Sequence, residues 1–316
     1  MTSYAIRSCS EPPVSSLWLN QQFPHRAWLI ADLQGRISRA PAPIRACAPE
    51  PERFGQAMER TLALDLCGAP PYLQLIKHLP AAGMRRLLIT AGYAPNTDTP
   101  DGQWHKTTDR IPGARLFTVG SLLPHLDRAL HELGSANPDE AREAIQAALR
   151  DRRAVSAYAT AARGARPAFA VFWASYTSGF RNALRGYGPV TASLSLMGGL
   201  RIVDFLAGTT IVEYKTGHFD DARDLDALVE QVLAYALLAA GSGHPVTAVV
   251  MYLARYHVLA RYPLDMFLAH LAGQPIDASE AGHRLATLVR AEQRDCGSNG
   301  VSGLTRQALC LVRRVP

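Results

Sequence analysis

Lysine is nearly missing from this chain. Of its 33 basic residues only Lys77, Lys106 and Lys215 are lysine, and the rest are arginine. So biased a composition supplies arginine wherever positive charge alone is wanted. A lysine kept inside a charged cluster therefore points to a role for a compact ammonium, which fits beside a water and a metal ion better than a forked guanidinium does. Cysteine is sparse as well: five residues, at 9, 47, 67, 296 and 310, with no Cys-x-x-Cys spacing. Their odd number and scatter argue against a disulfide framework and a zinc ribbon, and read as buried or incidental thiols. Long apolar runs are missing too. The longest, Val232 to Ala240, stops at Gly-Ser-Gly-His-Pro and is too short to span a bilayer. The opening decapeptide lacks the apolar centre of a signal peptide. These absences predict a soluble, cytoplasmic protein with no membrane partner. The Gly-x4-Gly-Lys-[Ser/Thr], His-Glu-x-x-His and Gly-x-Ser-x-Gly signatures are absent, which removes the usual sequence marks of ATP-driven helicases, zinc peptidases and α/β-hydrolases.

What is present looks globular. Hydrophobic residues make up 48% and charged residues 19% of 316, enough to bury one large domain or two modest ones. The net charge of +6 is modest but unevenly placed. From Arg152 through Arg201 there are seven arginines and no acidic residue, so this stretch alone exceeds the charge of the whole chain. A basic block that leads straight to a carboxylate cluster suits a polyanionic substrate.

Five stretches follow from the punctuation and periodicity. Residues 1–50 read as an irregular segment with short helices, such as one from Ser15 to Gln21. Residues 51–75 hold a first core helix, opened by Pro51-Glu52 and closed near Leu66. Residues 76–187 read as a mainly helical insertion, basic and aromatic in its second half. Within it, residues 86–90 suggest a strand, residues 93–114 a long loop, and residues 120–133 and 138–153 two amphipathic helices. Asn137 is placed to cap the second of these, with Pro138 at its first position. Residues 188–275 change period to give three antiparallel strands, with turns at Gly198-Gly199 and Ala207-Gly208, then a helix over 222–240 and strands over 246–252 and 256–261. Residues 276–316 form a C-terminal helical segment. The fold class is α/β, a mixed sheet flanked by helices.

The chemistry gathers in the stretch Arg201 to Gly217. Strand alternation puts Glu213 and Lys215 on one face, while Asp204 lies across a short turn. Two adjacent carboxylates repel unless a cation sits between them, and Mg²⁺ suits such oxygen ligands. Lys215 can then hold a water and stabilise charge on a phosphate. A solvated hairpin edge would present the same residues. On the next helix Gln231 and Tyr235, four apart, share a face.

The set Val-Asp-Phe, Val-Glu-Tyr-Lys-Thr-Gly and Gln-Val-Leu-Ala-Tyr resembles the RecB-like branch of the PD-(D/E)XK nuclease superfamily. Phe-Gly-Gln-Ala-Met-Glu resembles that superfamily's first-helix motif. The resemblance covers about a third of the chain, residues 51–67 and 190–262. It implies a restriction-endonuclease-like fold with a long helical insertion, and a DNA nuclease dependent on Mg²⁺ (or Mn²⁺) that hydrolyses phosphodiesters with a metal-activated water. By that resemblance Asp204 and Glu213 bind metal, Glu59 completes the metal shell, Lys215 serves the attacking water, Gln231 orients the catalytic group, and Tyr235 supports the site or touches DNA. Val203 stands where the superfamily often has proline. Cys296 and Cys310 have no close partners in sequence, so no iron–sulfur cluster is expected.

Arginines interleave with Tyr158, Phe169, Phe172, Trp173, Tyr176, Phe180 and Tyr187. This segment fits a groove for single-stranded or frayed DNA, or a helix whose rings are core while arginines solvate its rim. Arg181, Arg185 and Arg201 are the expected phosphate contacts. His105, in the loop, is a further candidate for substrate contact and equally a solvated histidine. The alternatives are a nuclease-fold DNA-binding module without cleavage, and a subunit that acts only with a helicase or defence-system partner in DNA repair or phage defence.

Overall fold

The computed structural model describes residues 13–95, 103–108, 111–133, 137–197, 201–219 and 221–298. The chain begins with α1 (Val14–Gln22), α2 (Ala27–Arg39) and α3 (Pro51–Leu66), followed by the short α4 (Leu73–Ile76) and α5 (Ala81–Thr90). A small hairpin, β1 (Tyr93–Pro95) with β2 (Trp104–Lys106), precedes the long α6 (Gly113–Leu133). Then come α7 (Pro138–Arg150), α8 (Arg152–Gly164), α9 (Arg166–Ser175), a π-helical turn over Tyr176–Phe180, and α10 (Arg181–Gly186). The sheet region follows as β3 (Val190–Leu196), β4 (Arg201–Ala207), β5 (Thr210–Lys215), α11 (Ala222–Gly241), β6 (Ala248–Leu253) and β7 (Val258–Pro263). Helices α12 (Leu264–Ala272) and α13 (Ala278–Ser298) end the described chain.

The protein is α/β. Its five-stranded mixed sheet has the order β3-β4-β5-β6-β7, antiparallel except for the parallel pair β5–β6. The parallel pair needs a crossover, which α11 supplies. Strands β5 and β6 are buried almost end to end, which is why β6 reads as an apolar run rather than as an alternation. One sheet face packs under α2, α11, α12 and α13, with Leu29, Ile211, Leu233, Val249 and Phe267 in the core. The other packs under α3, α6 and α9, with Met58, Phe117, Phe172, Phe205 and Val250. A third cluster, including Leu64, Ile76, Leu88, Tyr93, Leu123 and Ile145, holds the helical insertion together. Helices α3 and α6 approach closely at Gly120, where an added Cβ would lie 2.4 Å from Thr61 Oγ1 and 2.8 Å from the Ala57 carbonyl oxygen.

Two elements differ from the sequence expectation. Residues 86–90 are the second half of helix α5, not a strand. Only Ile89 and Thr90 are β-branched there, and Ala81, Ala82, Met84 and the arginines favour helix. Residues 27–39, read as irregular, form the 13-residue α2, with Leu29 and Leu33 buried. The loop over 93–114 carries the β1–β2 pair and the start of α6, while the Gly198-Gly199 turn lies outside the described residues. Asn137 caps α7 as expected, its side chain accepting from the Asp139 N–H at 3.0 Å. No helix among the described residues is long and apolar enough to cross a membrane.

Candidate active site

The β4–β5 hairpin turns at Gly208, whose φ of +57° favours glycine. A Cβ there would also lie 2.2 Å from the Tyr187 carbonyl oxygen. From the turn the ladder runs through Ala207↔Thr210, Leu206↔Ile211 and Phe205↔Val212, and then stops. At the next position the Asp204 carboxylate replaces the backbone acceptor and takes the Tyr214 N–H at 2.9 Å. Strand β5 stays paired with β6 as far as Lys215. The site thus opens where a carboxylate side chain interrupts one ladder while the neighbouring ladder keeps β5 rigid. Ser193 of β3 stands across from Asp204 with a φ of +51°, a left-handed backbone uncommon for a non-glycine residue.

Glu213 is fully buried. Lys215 Nζ lies 2.7 Å from its Oε1 as an ion pair, yet neither carboxylate oxygen accepts a well-aligned hydrogen bond. A buried carboxylate held this way pays a desolvation cost that the ion pair offsets only in part. Burial, and then the charge of Glu213, pushes Asp204 up to about 7. Burial, and then the charge of Asp204, pushes Glu59 of α3 up to about 7 as well. Burial raises Glu213 against the opposing pull of Lys215. For Lys215, burial alone would favour the neutral amine, but Glu213 and Asp204 outweigh it and hold the ammonium protonated.

The arrangement concentrates negative charge that the protein leaves partly uncompensated. A buried carboxylate met by one ammonium, beside a second carboxylate, fits a hard divalent cation with oxygen preference. Among the described residues, no three His, Cys, Asp or Glu side chains form a compact ligand group. The fit therefore rests on Asp204 and Glu213, with Glu59 close enough for its charge to act on both.

Gln231 and Tyr235 project from α11, and Gln231 Nε2 donates to the Tyr235 hydroxyl at 3.0 Å. Tyr235 is buried, and burial followed by the nearby Glu213 charge keeps its hydroxyl protonated. Sequence reasoning missed the frame around these groups. Arg60, next to Glu59, pairs with Asp127 of α6 at 2.9 Å and lies 4.2 Å over the Tyr72 ring. Buried Arg255 donates through Nε to the Thr216 carbonyl at 3.0 Å and through Nη1 to that of Ile44, fixing the chain just after Lys215. Only adjacency to Glu59 hinted at Arg60, and nothing in the local sequence marked Arg255.

The expected phosphate contacts are placed differently from one another. Arg181 gives Nη2 to Asp65 at 2.8 Å, and the same buried carboxylate accepts from the Tyr176 hydroxyl at 2.6 Å. A π-helical turn over Tyr176–Phe180 runs directly into Arg181. Arg185 is exposed at the end of α10. Arg201 opens β4, and its side chain lies outside the described residues. Phe169, Phe172, Tyr176 and Phe180 are core, while Trp173, Tyr158 and Tyr187 are half-buried. His105 is exposed on β2, opposite Ala94. Neighbouring Lys106 donates to the carbonyls of Leu64 and Ala91, a structural use of its ammonium. Cys67 is buried and Cys47 exposed, both as free thiols. Cys9, Cys310 and the Cys296 side chain lie outside the described residues. Compared with known proteins, the chain matches no family model, no curated protein and no solved structure.

Proposed function

We propose that this protein is a Mg²⁺- or Mn²⁺-dependent nuclease of the PD-(D/E)XK type, with a restriction-endonuclease-like core, that hydrolyses DNA phosphodiesters. The observation that carries this reading is Glu213, fully buried, its carboxylate met by the Lys215 ammonium alone and set beside Asp204. Asp204 and Glu213 would hold the cation, with Glu59 adding negative charge at its edge. When bound, a divalent cation there supplies neutralisation of the carboxylates and polarisation of the scissile phosphate.

The chain's own residues account for the rest. Lys215 stays protonated, so it acts as a donor that holds a water or a phosphate oxygen rather than as a base. With Asp204 and Glu213 engaged by a cation, the Lys215 ammonium would have protons free for that task. Gln231 directs its amide through the Tyr235 hydroxyl toward the carboxylate side of the sheet. The interrupted β4–β5 ladder admits the backbone of the substrate at the end of β5.

The test is incubation of end-labelled single- and double-stranded DNA with purified protein in Mg²⁺, Mn²⁺ or EDTA, beside Lys215→Ala and Asp204→Ala. Metal-dependent cleavage that both substitutions abolish supports the reading. DNA binding without cleavage under any metal would overturn it in favour of a binding module. Cleavage that appears only when a helicase or other partner is added would identify a partner-dependent subunit.

A further inference from the structure

The arginines of the helical insertion are used in different ways. Arg142 and Arg181 are ion-paired, as are Arg26, Arg36, Arg53 and Arg60 elsewhere. Arg152, Arg153, Arg163 and Arg166 are exposed, and among the described residues none of them pairs with a carboxylate. Three of the four belong to α8, a helix with no buried residue.

Two of them sit at the positive end of their helix. Arg152 and Arg153 occupy the first turn of α8, which holds no acidic residue. Cations are disfavoured at that end of the helix dipole. The preceding helix α7 follows the rule, with Asp139 and Glu140 in its first turn and Arg150 in its last. The Asp151 carboxylate caps this end of α8, accepting from the Arg153 and Ala154 N–H groups at 3.0 Å, while the Arg152 and Arg153 side chains stay exposed, and an exposed cluster of like charge suits a polyanion.

Geometry gives the outside partner its shape. Arg152 and Arg163 are eleven positions apart, about three turns, so they share one face and span about 16 Å along the axis. A duplex strand presents a phosphate about every 3.4 Å of its axis, so that face can meet several in a row. The other side of α8 is seated: Tyr158, Ala161 and Ala162 line a cavity with Phe54 and Ala57 of α3 and Phe117 of α6. Arg53 lies 4.8 Å over the Tyr158 ring. The arginine face therefore looks outward from a helix docked on α6, across a shared cavity from α3, which carries Glu59.

We propose that the outer face of α8, with Arg166 at the start of α9, binds the phosphodiester backbone of DNA and guides it past α3. The identity of the polyanion as substrate rests on the nuclease reading, whereas the binding does not need the metal site.

The test uses the full chain in EDTA, with fluorescence anisotropy of labelled duplex DNA between about 50 and 200 mM salt. The variant Arg152→Ala/Arg153→Ala/Arg163→Ala is compared with Arg142→Ala/Arg223→Ala, which removes exposed, ion-paired arginines instead. The triple variant should bind more weakly and lower the slope of log K against log salt by about 2.7, at about 0.9 per lost phosphate contact. The control should keep the wild-type slope. Unchanged affinity and slope in the triple variant, or an equal loss in the control, would overturn the proposal. So would a loss seen with RNA of the same length but not with DNA. Loss of binding in the triple variant of a protein that never cleaves DNA leaves this proposal standing while the nuclease reading falls. Cleavage by the wild type, with binding unchanged in the triple variant, sinks this proposal alone.

Discussion

Replacing Glu59 with glutamine should change how the protein's stability depends on pH. In the folded protein burial and the Asp204 charge raise this carboxyl from 4.5 to about 7. The folded form therefore keeps a proton that the unfolded chain has already released. A group of this kind contributes stability that is fully present below pH 4.5 and is lost as pH rises through 7. The gap corresponds to about 3 kcal/mol at ~1.36 kcal/mol per pH unit. Screening at a half-buried residue brings it to about 1–2 kcal/mol. Asp204 acts with the same sign, whereas His78, whose folded form disfavours the proton, acts against it. Comparing wild type with Glu59→Gln cancels His78 and most of Asp204, whose shift comes first from burial and Glu213. Urea unfolding in EDTA should find the two proteins nearly equal at about pH 5, with the variant ahead by about 1–2 kcal/mol at about pH 8. A difference that stays constant with pH, or that turns in favour of wild type as pH rises, would refute the electrostatic picture of the site.

Other consequences are simpler to state. Gly282→Ala places a Cβ 2.0 Å from the Leu237 carbonyl oxygen and forces α11 and α13 apart. Thermal unfolding should show a loss of at least about 1–3 kcal/mol, and a neutral substitution would mean the helices do not cross this closely. Asp65→Ala leaves Arg181 and the buried Tyr176 hydroxyl without their shared acceptor. Its cost by urea unfolding should be about 3–5 kcal/mol, and a cost under about 1 kcal/mol would contradict the buried pairing. Mn²⁺ should raise the unfolding temperature more at pH 8 than at pH 6, because Asp204 and Glu59, both near 7, must release protons to the cation. Each displaced proton weakens binding about tenfold per pH unit below that range, and a pH-independent rise would contradict it.

Much of the site's frame could be read in the sequence because it is local. The period of two across Arg201 to Lys215, the turn at Ala207-Gly208 and the long apolar α11 are each decided within a few residues. The i, i+4 spacing of Gln231 and Tyr235 likewise translates directly into their hydrogen bond. What escaped depends on distant partners. Arg181 looked like a free phosphate contact because Asp65, more than a hundred residues away, is invisible to local pattern. Arg255 acquires its role only when Ile44 and Thr216 arrive beside it. Part of helix α5 reads as a strand in sequence because the run Leu87-Leu88-Ile89-Thr90 is apolar with a β-branched end. Packing of Leu87 and Leu88 against the insertion core decides the matter. The burial of Glu213, on which the proposed function rests, follows from β5 lying in the sheet interior, a consequence of topology rather than of any residue nearby.

The measurement that tests this most directly is calorimetric titration of Mn²⁺ into wild type and Glu213→Gln near neutral pH. The account predicts saturable binding to the wild type with release of protons, and its loss in the folded variant. Equal binding by both proteins, or none by either, would contradict the assignment of Asp204 and Glu213 as a cation site.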